Sequence, residues 1–485
     1  MIKRFAELLS EDEVVRVHEV SLEILGEIGL LVRNEKARAM FAKHGCEVDN
    51  DTTNVRIPSK LVEEYRKLLP STFTFKGRDP KFDKTIPDDS PVIVTASSAP
   101  NIIDPETGKD RRAVADDIAR IAALINELPG HDVFSISTLA DDAPEGHYSL
   151  SRFYPAIKYC MKPIRGNTPF PPELVEIKKL IEIVSGSMEA YMEHPYITHH
   201  YCPVVSPLTM DFDSTEQTMS LVADGFPVYG SIVPNAGLTA PLSLPGALAQ
   251  GNAEFLALGV LTQMIKPGTP QIYATLPTVA DMKSGAYASG AIETGMLHMA
   301  HAQMARYYNV PSGGYIGLSN AKVNDAQSGY ETGMSAVAGV LGGADMLNLT
   351  GLLDGLMTFD FAKVVIDDEI ALMLKRITRG MEFSEENLTL DVLKKAGPGG
   401  MFLDAPHTLK NMRTMGLFPT VGDRLNRKMW TDAGSMDSNT KAMKKVRAIL
   451  SKDHPKLISD ETDAKIRAHF GDLLMAGELV PMAAG

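Results

Sequence analysis

The sequence predicts an α/β fold of the (β/α)8 TIM-barrel class, with helical additions before and after the barrel. Two observations lead there. Between about residues 91 and 355, eight short apolar runs alternate with helix-length segments, the pattern of parallel strands joined by crossover helices, and the length suits a closed barrel. The competing architecture, an open doubly wound sheet, normally shows a glycine-rich phosphate turn after its first strand. No GxGxxG occurs in this chain.

Residues 11–69 read as helices. Val14, Val15, Val17, Leu22, Ile24 and Leu25 form a helical apolar stripe, and Ser10 stands where an N-cap belongs, followed by acidic residues. A polar turn at Asp49, Asn50 and Asp51 leads through VRIP to a helix beginning near Ser59. Residues 1–90 thus form an N-terminal helical cap. The barrel strands are then VIVTA (92–96), VFSIS (133–137), PIRGN (163–167), ITHHYCPVV (197–205), PVYGSIV (227–233), QIYATLP (271–277), VPSGGYIG (310–317) and DMLNLTG (345–351). Helical stretches lie between them near 114–127, 147–161, 173–186, 214–224, 245–265, 286–308 and 328–342. GVLGG (339–343) reads as a helix end turning into the eighth strand. Residues 356–485 form a C-terminal helical extension. Its first helix, KVVIDDEIALMLKRI (363–377), spaces Val365, Ile366, Ile370, Met373, Leu374 and Ile377 to bury one face.

Composition narrows the function classes. The 485 residues are 44% hydrophobic and 22% charged, which is ordinary for a globular protein. No window offers the roughly 20 uncharged apolar residues of a membrane span, and MIKRFAELLSEDEVV has no apolar signal core. A cytoplasmic protein is the expectation. The net charge, 48 − 61 = −13, repels phosphate backbones and anionic lipid, which disfavours nucleic acid and membranes as partners. Cys46, Cys160 and Cys202 are odd in number and widely spaced, as expected of reduced thiols.

In a barrel of this class the strand ends and the loops after them form the active face. That rule selects Thr95, Ser97, Ser98, Asn101, Asn167, His199, His200, Tyr201, Ser206, Ser231, Tyr273, Thr275, Tyr315, Asn320 and Asn348. The set holds no carboxylate, which argues against glycosidic or enolising chemistry. Strand alternation sends His199 and His200 to opposite faces. His298 and His301 are three apart on a helix and could chelate one ion, but no third ligand has recognisable spacing, so a structural role is expected. No GxSxG elbow or P-loop is present. What recurs near strand ends is tyrosine with small hydroxyl residues. Alternation puts Tyr229 with Ser231 on one face, and Tyr273 with Thr275. An uncharged aromatic pocket suits a quaternary ammonium, at about 0.5–2 kcal/mol per ring. Simple aromatic packing explains the same residues.

Several segments in collinear order resemble the trimethylamine methyltransferase family. They include LLSEDEVVRVHEVSLEILGEIGLLV (8–32), GCEVDNDTTNVRIPSKLVEEYRKLLPSTFTFKGRDP (45–80), IIDPETGKDRRAVADD (102–117), PVVSPLTMD (203–211), GGYIGLSNAKVNDAQSGYE (313–331) and VVIDDEIALMLKRI (364–377). Founding members carry pyrrolysine near the end of the seventh strand. The corresponding position falls within 313–320, with Tyr315 or Leu318 as occupant. The resemblance is therefore to the branch without pyrrolysine. It implies demethylation of a quaternary amine such as glycine betaine, proline betaine, carnitine or γ-butyrobetaine, with the methyl group passed to cobalt on a separate corrinoid protein. The chain has no cobalt-ligating DxHxxG, so no tightly bound cofactor is expected and cobalamin arrives on that partner. A homo-oligomer is a further expectation.

Position and chemistry, not family correspondence, select the site residues. Tyr273, Tyr315 and Phe359 are expected to form the aromatic cage; Asn348, Ser97 and His200 are expected to hold the carboxylate tail. Two competing classes stay open at this point: a metal-dependent barrel hydrolase and a non-catalytic betaine-binding protein.

Overall fold

The computed structural model describes residues 5–475 and 477–483. Eight parallel strands form its centre: β1 (Val92–Val94), β2 (Phe134–Ser135), β3 (Ile164–Gly166), β4 (Ile197–Tyr201), β5 (Val228–Ile232), β6 (Tyr273–Thr275), β7 (Ser312–Gly314) and β8 (Met346–Asn348). Each lies inside one of the eight runs read from the sequence. Sheet order follows chain order, and a parallel bridge between Val94 and Val133 joins β1 to the start of β2, closing the barrel. The strands are legible because both faces are buried, so each reads as a short apolar run.

Eight helices follow the strands in turn: α1 (Ala115–Glu127), α2 (Leu150–Tyr159), α3 (Glu173–Ser185), α4 (Asp213–Asp224), α5 (Leu244–Ile265), α6 (Ile292–Tyr308), α7 (Ala326–Gly342) and α8 (Phe361–Arg379). Helix α8, assigned from sequence to the C-terminal addition, takes the eighth outer position. It buries Ala371 and Leu374 with Ile93 of β1 and Leu347 of β8. Beyond it, the helices Ser438–Leu450 and Asp460–Phe470 return to the barrel, burying Ala442, Val446, Leu450, Ile466 and Phe470 in the main core. Among the described residues no helix is long and apolar enough to cross a membrane.

The N-terminal region departs from the mostly helical expectation. Helices Glu11–Glu23, Glu35–Lys43 and Ser59–Arg66 are present, and Ser10 caps the first in a reciprocal capping box with Glu13. Between them, however, Leu30–Val32, Glu47–Asp49 and Asn54–Arg56 form strands, and Leu30–Val32 also pairs in parallel with Thr209–Met210. The polar turn at 49–51 is a hairpin tip. Three-residue strands are too short for their alternation to stand out against a helical period. The chain thereby ties its N-terminal region to the loop after β4.

A second hairpin, Phe73–Phe75 with Lys84–Ile86, closes the N-terminal end of the barrel. Phe73 and Phe75 set their rings 5.6 and 6.3 Å from that of Tyr229 and pack with Val92, Val94, Val133, Ile272, Ala274 and Met346. This apolar plug is the floor. Above the opposite end, two small sheets raise the rim. One joins Leu352–Leu353, Thr358–Phe359, Asn101–Ile103 and Asp110–Arg112; the other joins Asn235–Ala236, Thr278–Ala280 and Tyr287–Ala288. The second continues β5 and β6 upward in unbroken register, since Ile232 pairs with Thr275 and Asn235 with Thr278.

Candidate active site

The barrel interior turns polar directly above the plug. Along β3, Ile164 and Gly166 face the helices, so alternation sends Arg165 into the lumen. Arg165 is 1% exposed. Its Nε donates to Ser135 Oγ at 3.0 Å, one terminal nitrogen to Tyr229 OH at 2.8 Å and the other to Tyr315 OH at 3.1 Å. Asn348, with its amide oriented so that every group finds a partner, accepts from both terminal nitrogens at 2.9 Å and donates to Gly314 O at 3.0 Å. All five guanidinium protons are thus spent on uncharged oxygens from β2, β5, β8 and the turn after β7. No acid is among these partners. Burial works against the charge, but Tyr229 and Tyr315 outweigh it and hold the group above its ordinary value.

His200 and Ser231 complete this layer. His200 sets its ring 4.9 Å from Tyr229 and 6.4 Å from Tyr315, and its Nε2 meets Ser231 Oγ at 2.6 Å. Burial, aided by Arg165, drives its pKa well below the usual value, so the imidazole is neutral at neutral pH. Cys202, two residues along, is a protonated thiol, pushed up to about 11 by burial. The half-buried Ser97 meets Tyr315 OH at 2.9 Å. Because Tyr315 accepts from Arg165, its own proton is free to be donated, to Ser97 or to a ligand. The turn that delivers Tyr315 depends on glycine: a Cβ on Gly314 would lie 1.9 Å from Thr275 O, and Gly317 has φ +95.

Four of the six expected site residues, Tyr315, Asn348, Ser97 and His200, therefore converge on Arg165. The other two stand elsewhere. Tyr273 points out of the barrel into the helix layer, its ring 4.3 Å from Phe255 and its hydroxyl donating to Asn252 Oδ1 at 2.9 Å. The reason is steric: at that level Tyr229 and the phenylalanine plug already fill the lumen, and β6 offers only Ala274 inward. Phe359 lies fully buried in the rim sheet, 5.3 Å from Phe361, where it pairs with Ile102. Of the two occupants considered for position 313–320, Tyr315 brings its hydroxyl to Arg165, while Leu318 is buried in the main apolar core.

His199 and His200 face opposite ways, as alternation requires. His199 lies 5.8 Å from Phe226 on the helix side, held neutral by burial with a pKa of about 3. His298 meets Tyr315 O at 3.2 Å, and His301 lies 5.6 Å from Tyr273; both are buried and lowered to about 3. Among the described residues no three His, Cys, Asp or Glu side chains gather as a metal ligand set.

Sequence reading passed over Arg165, although the signal was present. A charge inside the apolar run PIRGN must be either exposed at an edge or buried among partners, and a closed barrel has no edge. It also missed the rim wall. Asn235, Thr278 and Tyr287 come from the three strands of the β5–β6 extension. Pairing places Thr278 beside Asn235 and on the same face as Tyr287, which lies diagonally across from it. Tyr287 and Thr278 bring their hydroxyls together, while the side-chain oxygen of Asn235 is buried without a protein partner.

Comparison with known proteins agrees with this architecture. The family model described as trimethylamine methyltransferase (MTTB) matches residues 2–471. The chain is 32% identical to a glycine betaine methyltransferase from Desulfitobacterium hafniense (strain Y51), over 95% of this chain and 96% of that protein. It is also 32% identical to the trimethylamine methyltransferase MttB of Methanosarcina barkeri (strain Fusaro / DSM 804), over 92% and 91% respectively. The crystal structure of the Methanosarcina barkeri monomethylamine methyltransferase aligns with a TM-score of 0.51 at 11% identity, covering 90% of this chain and 92% of that one, a likeness of fold.

Proposed function

Because the chain belongs to the trimethylamine methyltransferase family, we propose that it demethylates a quaternary amine of the betaine type and passes the methyl group to the cobalt of a separate corrinoid protein. Glycine betaine, proline betaine, carnitine and γ-butyrobetaine are the candidate substrates. The observation that carries this reading is Arg165, a buried cation with no acid beside it.

An uncompensated charge in a closed barrel floor costs several kcal/mol, which an arriving anion offsets. The floor attracts a carboxylate and repels an ammonium group. His200, being neutral, adds no second charge. Arg165 has no free proton, so it acts through Tyr315, whose hydroxyl it polarises and which then donates to the substrate carboxylate beside Ser97. A zwitterion is thereby held with its carboxylate down and its methylated nitrogen up, towards the open end of the barrel. Carboxylate recognition thus orients the N–CH3 bond.

The corrinoid supplies a Co(I) nucleophile, and the neutral tertiary amine that leaves needs no protonation by the enzyme. The protein's contribution is alignment and exclusion of water.

A panel of amines incubated with Co(I)-cobalamin, read by the visible spectrum of methyl-Co(III), tests the proposal. Betaines that carry a carboxylate are expected to react and trimethylamine to fail. Trimethylamine turnover at a comparable rate would overturn it. A cognate corrinoid protein in place of free cobalamin is expected to accelerate transfer, since docking supplies orientation.

A further inference from the structure

Strand β1 reverses its own alternation where it reaches the site. Val92 and Val94 face the lumen with the apolar plug, and Ile93 faces the helices with Ala371 and Leu374 of α8. Continued at period two, the pleat would put Ala96 and Ser98 inside and Ser97 outside. The structure has Ser97 inside, its hydroxyl 2.9 Å from Tyr315 OH, while Ser98 Oγ accepts from Arg152 of α2 at 3.0 Å, on the helix side. The exchange takes place where the ladder to β2 is interrupted. Thr95 N donates to Val133 O and Ala99 N to Ser137 O, so the two chains keep one register on either side. Between those points a regular ladder would bring the Ser97 amide to Ser135 O. Instead Ser135 N donates to Thr95 Oγ1 at 2.9 Å, and Thr95 Oγ1 donates back to Ser135 O at 2.8 Å. Ser97 is thereby released from the pleat. Ser98 takes φ +69, the left-handed region that a residue with a Cβ rarely adopts.

We infer that Ser98 and Arg152 are positioning residues for the substrate carboxylate, because the kink they hold is what turns the Ser97 hydroxyl towards it. The inference rests on the betaine reading above. A strained dihedral persists only where its surroundings hold it, and Arg152 supplies the hold. It is 1% exposed, with no acid among its hydrogen-bond partners. Its Nε donates to Thr138 O at 3.2 Å, and one terminal nitrogen donates to the backbone and side-chain oxygens of Asn167, both at 3.3 Å. The other donates to Ser98 Oγ and, at 3.4 Å, to Ile136 O. One side chain on α2 thus ties together the ends of β1, β2 and β3. Ser98 N adds a bond of its own to Ile136 O at 3.3 Å. Arg152 therefore acts on a ligand through Ser98 and Ser97, as Arg165 acts through Tyr315. Without the kink, Ser97 would face α2, and the carboxylate would meet the Tyr315 hydroxyl alone instead of a pair of hydroxyls.

The test is a substitution series at position 98 in the full chain, read by betaine kinetics with Co(I)-cobalamin per folded molecule, alone and in a Ser97→Ala background. Ser98→Val, whose branched Cβ resists a positive φ, is expected to lower kcat/KM at least about tenfold, chiefly through KM, the worth of a hydrogen bond to a carboxylate. Ser98→Asn tolerates the left-handed region and keeps an acceptor for Arg152, so it is expected to recover most of that loss. With Ser97→Ala already in place, Ser98→Val is expected to cost no more than about twofold, since no hydroxyl remains to be aimed. A Ser98→Val enzyme that matches wild type overturns the inference. So does an equal loss in both backgrounds, which is what a merely structural role would give. If Ser98→Val fails to fold, Ser98→Gly replaces it in the cycle, because glycine reaches the dihedral freely and drops only the bond to Arg152; a loss confined to the background that retains Ser97 supports the inference, and any other pattern overturns it. A wild type that turns over no betaine refutes the functional reading alone. Positioning is then decided by crystal structures of wild type and the position-98 variant, in which the Ser97 hydroxyl is expected to leave Tyr315; a hydroxyl that stays overturns the inference.

Discussion

Strands β5 and β6 lie side by side, and each carries a tyrosine followed two residues later by a small hydroxyl residue: Tyr229 with Ser231, Tyr273 with Thr275. On β5 the pair faces the lumen, where Tyr229 meets Arg165 and Ser231 meets His200. On β6 the pair faces the helices, where Tyr273 packs on Phe255 and bonds Asn252. The pleat guarantees that both members of a pair share a face, but it is silent about which face. Register settles that. Ser231 pairs with Ala274, so the inward residue of β6 is the alanine between its two polar neighbours. Identical local patterns thus serve a site on one strand and a core on the next.

Acid should give the largest contrast between the two layers. His199, His298 and His301 are buried in the outer layer with pKa values of about 3, and His200 in the inner layer is lowered too. The unfolded chain binds protons at these histidines below about pH 6.5 while the folded chain resists them. Stability is therefore full above pH 6.5 and is lost progressively as pH falls towards 3. Denaturant titrations at stepped pH should show this, with a slope approaching three or more protons. A stability that is flat from pH 7 to 4 would mean these rings are hydrated, and the packing of both layers would need revision.

The next effect separates the strands directly. Tyr273→Ala empties a core position and should cost about 3–5 kcal/mol of stability, while kcat/KM per folded molecule stays near wild type. A selective kinetic defect in this variant would return Tyr273 to the substrate pocket. On the other side, Arg165→Met removes the charge that polarises Tyr315 and should lower kcat/KM for a betaine by roughly 10-fold, with some loss of stability because Ser135, Tyr229 and Asn348 lose their donor. A purely cationic amine of similar size should not lose to the same degree, because it has no carboxylate to be held.

The smallest pair of changes is the most discriminating. Tyr315→Phe and Tyr273→Phe each delete one buried hydroxyl, at about 1 kcal/mol. The first should appear as a rise in KM for the betaine together with a fall in melting temperature, since a buried Arg165 N–H loses its acceptor. The second should lower the melting temperature and leave KM alone. Equal kinetic effects would erase the distinction drawn between lumen-facing and helix-facing tyrosines.

Much of this molecule was legible in its sequence. The eight strands and most of their helices were found because strands buried on both faces are unbroken apolar runs, and because crossover helices are long enough to show their period. Four of the six expected site residues gather at one place because strand ends converge by geometry in a closed barrel. The rest depended on contacts far apart in the chain. The rim sheets pair segments of two or three residues, below the length at which alternation carries information. Arg165 drew no notice because its partners come from four other places: Ser135, Tyr229, Tyr315 and Asn348.

Sequence by itself determined the kind of element at each position, the order of the strands, the family, and strand ends rich in hydroxyl and aromatic groups. Those properties are local, or follow from a closed parallel barrel having only one simple strand order. Tertiary structure alone decided which tyrosine faces the lumen, that a buried arginine lies beneath Tyr315 with no acid among its hydrogen-bond partners, and that the stripe on α8 is left partly uncovered. Each of these is fixed by what already occupies the neighbouring space, such as the plug of Phe73 and Phe75 under Tyr229, and no pattern within a single strand or helix records its neighbours.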